Sequence, residues 1–326
     1  MTSQDRPRGV RIQRSAFCEE WHAPGDTGGT GILLFRIYPG ILLKVNNMRL
    51  SAVDMPPTAD YHCLKINCCV SGRCEVPIAG GQYVYLESGR IDLDLRQPDH
   101  ECLFPGGLYQ GLEIVADLPV IGQSCPPVFR ELGIDIAAAA RRLRAENGTR
   151  ILTADSCLMQ LLTDIYTHLL SEHGTTSLPV CRFYAAELLQ RIFALPADDR
   201  TRYVSAAQRS VAVAAERYLL EHESAPVSVA ELASRLHVSP TTLENYFQAV
   251  YGMTIHAYVH HRRIALARSL LEQSDLPVAE IARRAGYTHP GKFSAAFKKH
   301  TGMSPLEYRR THAGVSVQAM FTLPRR

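Results

Sequence analysis

No apolar run in the sequence is long enough to span a bilayer; the best stretch, 31–43, is broken by Arg36 and Pro39. That excludes a membrane-spanning helix. Residues 1–14 are polar and basic with no apolar core behind them. A secretory signal is therefore not expected, and the chain is expected in the cytoplasm with its nine cysteines reduced. Compositional bias is also missing. At 46% hydrophobic and 21% charged residues, disordered, collagen-like and low-complexity chains are excluded. Net charge is small, +3 formally, so the total says nothing about nucleic acid. No cysteine follows Cys181. What is present is 326 residues, enough for about two domains of ~150 residues each.

The charge is unevenly placed. Residues 1–206 hold 20 Lys and Arg against 23 Asp and Glu, a balance of −3; residues 207–326 hold 15 against 9, a balance of +6. With all the cysteines in the first part, this division marks two units with different tasks. From Ile32 to Val115, short apolar or alternating runs (41–48, 62–70, 82–86, 91–95) are separated by turn residues such as Pro39-Gly40 and Ser88-Gly89, which predicts strands in an antiparallel sandwich or barrel. The alternation in Ile91-Asp92-Leu93-Asp94-Leu95 predicts a half-buried strand. After Pro126-Pro127 the spacing becomes helical over 134–145, 154–171 and 178–195, until Pro196-Ala197-Asp198-Asp199-Arg200 breaks it. The expected organisation is a β-rich domain over 1–125, a helical dimerisation segment over 126–195 and a linker over 196–206. A further, basic domain over 207–312 and a tail over 313–326 follow.

The last third contains a repeat. Val229-Ala230-Glu231-Leu232-Ala233 recurs as Val278-Ala279-Glu280-Ile281-Ala282, and Phe247, Gly252, Met253, Thr254 and Tyr258 recur as Phe297, Gly302, Met303, Ser304 and Tyr308. The offset grows from 49 to 50 between these blocks, so one residue is inserted in the turn. Each copy reads as helix, tight turn, helix, over 228–251 and 277–300. Ser228 with Glu231 predicts a capping box, Ser239 and Pro240 predict the start of the second helix, and Gly252 predicts its end. Between the copies, 254–273 reads as one helix about 30 Å long, close to the ~34 Å of a DNA turn.

At this point the sequence resembles the AraC family of transcriptional regulators, over about 207–312. The residues that carry the resemblance are Ile281-Ala282, Gly286-Tyr287, Phe293, Phe297-Lys298, Gly302-Met303-Ser304-Pro305 and Tyr308-Arg309. Gly286-Tyr287-Thr288-His289 and Lys292-Phe293 resemble the subgroup that senses siderophores and activates iron-uptake genes. The resemblance implies an α+β chain: an antiparallel, cupin-like β sandwich or barrel that senses a small molecule, then helices, then an all-α double helix-turn-helix domain. It implies a homodimer that binds double-stranded DNA and acts, as an activator, with RNA polymerase. Many family members have a serine-tyrosine pair and a basic residue where this chain has Gly291-Lys292 and Ala295, so the second helix is expected to read fewer bases.

Helical facing selects Thr241, Thr242, Glu244, Asn245 and Gln248 on the first recognition helix. Asn and Gln pair with adenine edges, Glu accepts from cytosine, and Thr touches a thymine methyl. On the second helix, His289, Lys292, Ser294, Lys298 and Lys299 are the polar set, with the lysines suited to phosphates. In the N-terminal part, Trp21, Arg36, Tyr38, Tyr61, Tyr83 and Tyr85 are candidate lining groups for an effector cavity. Cys63, Cys68, Cys69 and Cys74 crowd together, but their spacing does not suit zinc, and buried thiols are the expectation. His62 and His100 are isolated and no His-x-His occurs, so a metal-dependent cupin enzyme is not expected. Neither a catalytic residue nor a cofactor is expected. The competing readings are an effector-independent DNA-binding dimer, and an alkyl-acceptor or cupin enzyme fused to a DNA-binding domain.

Overall fold

The computed structural model describes residues 11–15, 17–22, 30–54, 62–96, 101–172, 175–196, 201–222 and 228–312. Tyr61, His100, residues 197–200 of the expected linker and the tail 313–326 lie outside the described residues. The chain folds as two compact units, Met1–Tyr203 and Val204–Arg326.

The first unit contains β1 (Arg11–Arg14), β2 (Glu19–His22), β3 (Gly31–Tyr38), β4 (Ile41–Met48), β5 (Ala52–Asp54), β6 (Cys63–Gly72), β7 (Cys74–Ile78), β8 (Gln82–Leu86), β9 (Arg90–Asp94), β10 (Glu101–Leu103) and β11 (Tyr109–Asp117). Helices α1 (Leu118–Gln123), α2 (Pro127–Glu131) and α3 (Ile136–Ala145), strand β12 (Thr149–Thr153), and helices α4 (Ser156–Ser171) and α5 (Leu178–Phe193) complete it. The main sheet runs β1-β2-β3-β4-β11-β6-β9-β12, with antiparallel pairing throughout. β5 pairs with β10, and β7 with β8. Strand β12 was not foreseen, because it interrupts a helical stretch. Asn147 and Gly148, both at positive φ, make the reversal that lets Thr-Arg-Ile-Leu-Thr pair with β9.

Side chains alternate across the sheet. One face, with Phe35, Ile37, Ile41, Leu43, Ile66, Leu112 and Ile114, joins one core with the apolar stripes of α4 and α5. The stripe of α4 is Leu158, Leu162, Ile165 and Leu169, at i, i+4, i+7 and i+11. Asp155 starts that helix by accepting the Leu158 N–H at 2.8 Å.

The opposite face corrects the expectation of a half-buried β9. Asp92 and Asp94 do alternate with Ile91 and Leu93, yet both are buried, at 0% and 2% exposure. They belong to a polar row that crosses four strands: Lys44 opposite Glu113, Glu113 opposite Asn67, and Asn67 opposite Asp92. Lys44 Nζ donates to Glu113 Oε1 at 2.8 Å, Asn46 Nδ2 donates to its Oε2 at 3.4 Å, and the Tyr109 hydroxyl donates to Asn67 Oδ1. Burial alone would raise the Glu113 carboxyl, but the Lys44 and Lys65 charges and these hydrogen bonds hold it below its ordinary range. Asp94 accepts from Arg96 and Thr149. Asp92 has Lys65 Nζ 3.7 Å away, and neither of its oxygens has a hydrogen-bond partner. Burial, then the neighbouring Asp94 charge, pushes its carboxyl up to about 8. Gly111 is required here, since a Cβ would meet the Cys68 carbonyl and the Tyr109 hydroxyl, each at 2.5 Å.

After the two-residue strand Val204–Ser205, the described residues of the second unit form helices: α6 (Ala206–Glu221), α7 (Val229–Arg235), α8 (Pro240–Tyr251), α9 (Ile255–Gln273), α10 (Val278–Arg284), α11 (Pro290–Thr301) and α12 (Pro305–His312). A capping box forms at Ser205–Gln208, ahead of α6. The one expected at Ser228 does not, because the Ser228 side chain makes no cap hydrogen bond. Ile264, Ala267 and Leu271 of α9 share a core with Ile281, Ala282, Phe293, Phe297 and Tyr308. At the other end of α9, Tyr258 packs edge-on to Phe247 at 5.3 Å and 79°. The matched pair in the second copy, Tyr308 on Phe297, sits at 5.4 Å and 81°.

Two stability predictions follow from these environments. An unfolded Asp92 ionises near pH 4, whereas the folded one stays protonated until about 8, so its contribution to stability falls as pH rises from about 4 to about 8. Asp92→Asn should remove that slope and raise urea resistance at pH 8, with little change at pH 4. His237 sits at φ +55, where the second copy has Gly286 at φ +76. His237→Gly should stabilise the first helix pair by about 1 kcal/mol, read as slower amide exchange in α7 and α8.

Candidate nucleic-acid interface

Within each copy, the turn is closed by the same backbone bonds. Val238 N–H reaches Ala233 O at 3.1 Å in the first, and Tyr287 N–H reaches Ala282 O at 2.9 Å in the second. Ala233 and Ala282 are fully buried, which permits the close crossing of α7 on α8 and of α10 on α11. Ser239 Oγ then accepts the Thr242 N–H at 3.1 Å and starts α8. His289, at the same place before α11, makes no cap bond. Gly252 and Gly302 end the two helices in the left-handed conformation.

Leu243, Phe247 and Val250 point inward from α8. That leaves Thr241, Asn245 and Gln248 exposed, spaced i, i+4 and i+7 on one face. All three carry groups that read base edges. Two other expected readers are engaged. Thr242 is half-buried, with its hydroxyl 2.8 Å from Ser239 Oγ. Glu244 is half-buried, and its Oε2 accepts the Ile255 N–H at 3.2 Å, which fastens the first residue of α9 to the recognition helix. In α11, Phe293 and Phe297 are buried. His289, Lys292, Lys298 and Lys299 are exposed and Ser294 is half-buried. The residues matching Thr241, Asn245 and Gln248 are Gly291, Ala295 and Lys298, all exposed.

The charged groups around α11 are partly committed. Arg283 and Arg284 of α10 both donate to Glu280, at 2.7 and 2.9 Å, and those bonds hold the Glu280 carboxyl at about 2. Sequence reasoning missed a histidine cluster where α9 meets the end of α11. The His261 and His300 rings are 4.6 Å apart, and His260 Nδ1 lies 3.2 Å from the Tyr287 hydroxyl. Burial first, then the surrounding positive charges, lowers the pKa of His260 and His300, while burial alone lowers that of His261. The cluster therefore adds little positive charge at neutral pH.

A helix-turn-helix domain family matches residues 232–311. The chain is 32% identical over 94 residues to the probable transcriptional regulator LumQ of Photobacterium leiognathi, covering 29% of this chain and 38% of that one. It is 27% identical over 248 residues to the xylose operon regulatory protein of Escherichia coli K12, covering 68% and 63% respectively. The C-terminal unit is an AraC-type helix-turn-helix domain. The C-terminal domain of AraT, a response regulator from Geobacillus stearothermophilus, is 32% identical, with 34% of this chain and 93% of that one covered, at a TM-score of 0.31. This chain spans less than two thirds of the length of LumQ and of the xylose operon protein. Within the AraC-type unit, no helix is long and apolar enough to cross a membrane, and the same holds for the other described residues.

Among the described residues, the candidate effector groups Trp21, Arg36, Tyr38, Tyr83 and Tyr85 do not converge on one site. Trp21 is buried against Leu34, Leu42 and Val115. Glu19 links it to Arg36, accepting from Trp21 Nε1 at 3.3 Å and pairing with the exposed Arg36 at 3.4 Å. Tyr38 lies on the helix side of the sheet, edge-on to Phe129 at 5.5 Å with Arg182 5.0 Å above its ring. Tyr83 and Tyr85 are on β8; Tyr85 is buried and donates to Glu75 Oε2 at 2.7 Å. Among the described residues, no group of three His, Cys, Asp or Glu side chains is placed to hold a metal ion.

The two roles on α8 are separable. Asn245→Ala should alter preference at one base position, at ~1–3 kcal/mol on the preferred site. Glu244→Ala should weaken binding evenly on all sequences and destabilise the unit by about 1 kcal/mol, as loss of a helix cap does. Binding to a panel of single-substitution duplexes, together with urea melts, separates the two.

Proposed function

We propose that the protein is a sequence-specific, double-stranded-DNA-binding transcriptional regulator whose helices α8 and α11 enter successive major grooves on one side of the duplex. The observation that carries this is the duplicated helix-turn-helix unit, joined by a 19-residue helix about 28 Å long. That length suits recognition helices one DNA turn apart. Thr241, Asn245 and Gln248 serve as base readers. Lys292, Lys298 and Lys299 serve mainly as phosphate contacts, with His289 and Ser294 beside them. Thr242 and Glu244 act through helix geometry.

In this reading the first unit senses a small molecule and the protein works as a homodimer, activating transcription with RNA polymerase; those steps rest on the resemblance of the C-terminal unit. For the effector, the buried polar row of Lys44, Glu113, Asn67 and Asp92 offers recognition groups beside the aromatic and arginine candidates. Asp92 is buried with no hydrogen-bond partner, which costs free energy that a ligand hydroxyl or ammonium group would offset.

Selection from a random duplex pool with the full-length protein tests the DNA reading. Two half-sites spaced by about 10 base pairs should be enriched, and affinity for the winning duplex should fall steeply with salt. Enrichment of a single short half-site, or of none, would sink the two-groove reading.

A further inference from the structure

One of the crowded cysteines of β6 and β7 meets a sulfur from outside the cluster: Cys102 Sγ, on β10, lies 3.9 Å from Cys74 Sγ, on β7. Both thiols also face one acceptor, the Glu75 carbonyl, Cys102 at 3.5 Å and Cys74 at 3.6 Å. We propose that Cys74 and Cys102 form an oxidative modification site that takes a hydroperoxide and closes as a disulfide between β7 and β10.

The geometry assigns the two sulfurs different roles. Cys102 is half-buried and Cys74 is buried, so the oxidant meets Cys102 first. The Cys102 thiolate attacks the distal peroxide oxygen. The O–O bond breaks, the departing oxygen takes the proton that Cys102 gave up and leaves as alcohol or water, and Cys102 becomes a sulfenic acid. Cys74 sulfur then attacks Cys102 sulfur. The S–O bond breaks, the Cys74 proton leaves with the hydroxyl as water, and the S–S bond forms. Contact between the sulfurs gives this second step a high effective concentration, which offsets the poor nucleophilicity of a buried thiol. The sulfurs must close from 3.9 Å to ~2.0 Å. β10 can supply that movement, since it is three residues long and pairs with the equally short β5. In sequence the two cysteines stand 28 positions apart, which is why spacing within the 63–74 cluster did not reveal them.

The test uses the native full-length protein with Cys157→Ser, which removes the exposed thiol of α4. It is treated with increasing hydrogen peroxide, blocked with N-ethylmaleimide, digested without reductant and analysed by fragment-ion mass spectrometry. A peptide pair linked through Cys74 and Cys102 is expected, reversed by dithiothreitol. In Cys74→Ser the link should vanish and dimedone should trap Cys102 as its sulfenic acid. In Cys102→Ser neither product should form. The proposal fails if peroxide consumes Cys102 in the Cys157→Ser protein without producing the linked pair. It also fails if Cys102 stays unmodified at doses that oxidise Cys63 or Cys125. Because both failure tests are made with Cys74 and Cys102 intact, misfolding of either serine variant does not blunt them.

Discussion

Burial of one helix in two separate cores is the constraint on which the C-terminal unit depends. The first turns of α9 give Ile255 and Tyr258 to the first helix pair, and its last turns give Ile264, Ala267 and Leu271 to the second. Between them, His261 packs on His300 and His260 lies beside the Tyr287 hydroxyl, so the middle of the helix leans on the second pair as well. A helix fixed at both ends in this way acts as a ruler, because each residue adds ~1.5 Å and none can be skipped. The repeated Phe–Tyr pairs show how alike the two attachments are: nearly the same separation and angle recur 50 residues apart. Rotating either helix pair about α9 would break such a contact, worth ~0.5–1.5 kcal/mol beyond its area.

The same repeat explains which local rules could be read in advance. The start and end of α8 were legible because Ser239 and Gly252 each satisfy a backbone group of their own helix. The turn between α7 and α8 was harder. Gly286 marks the left-handed position in the second copy, but His237 fills it in the first. Only the alignment of the two copies shows that the positions correspond. The second copy has a further reason for glycine, since a Cβ on Gly286 would meet the Arg263 guanidinium at 2.8 Å. Glu244 has a second role that the sequence does not show: its Oε2 accepts the Ile255 N–H. An outward polar residue on a recognition helix suggests base reading, but the N-terminus of the following helix lies within reach and needs an acceptor.

In the first unit, alternation located β9 correctly and assigned its environment wrongly. A period of two states only that the faces differ; it does not say that the polar face meets water. Lys44, Lys65, Asn67, Asp92 and Glu113 come from four strands brought together by pairings between distant segments. No window of the sequence shows that a carboxylate on one strand will find a lysine on the strand that becomes its neighbour in the sheet. The helices over the other face were readable because their stripes are local, and α4 carries its whole buried stripe within sixteen residues.

The inequality between the two recognition helices limits how the AraC-type unit can achieve selectivity. The exposed stripe of α8 presents a hydroxyl and two amides, whereas the matching stripe of α11 presents a glycine, an alanine and a lysine. In the proposed reading, base-edge hydrogen bonds come mostly from α8, and α11 adds attraction to phosphates together with the shape fit of a bare helix face. An α11 without readers still matters, because α9 fixes the distance between the helices. DNA that seats α8 on its preferred bases must also offer a groove of suitable width one turn away. Selectivity at the second position is thereby shifted from hydrogen bonding to the shape and deformability of the duplex.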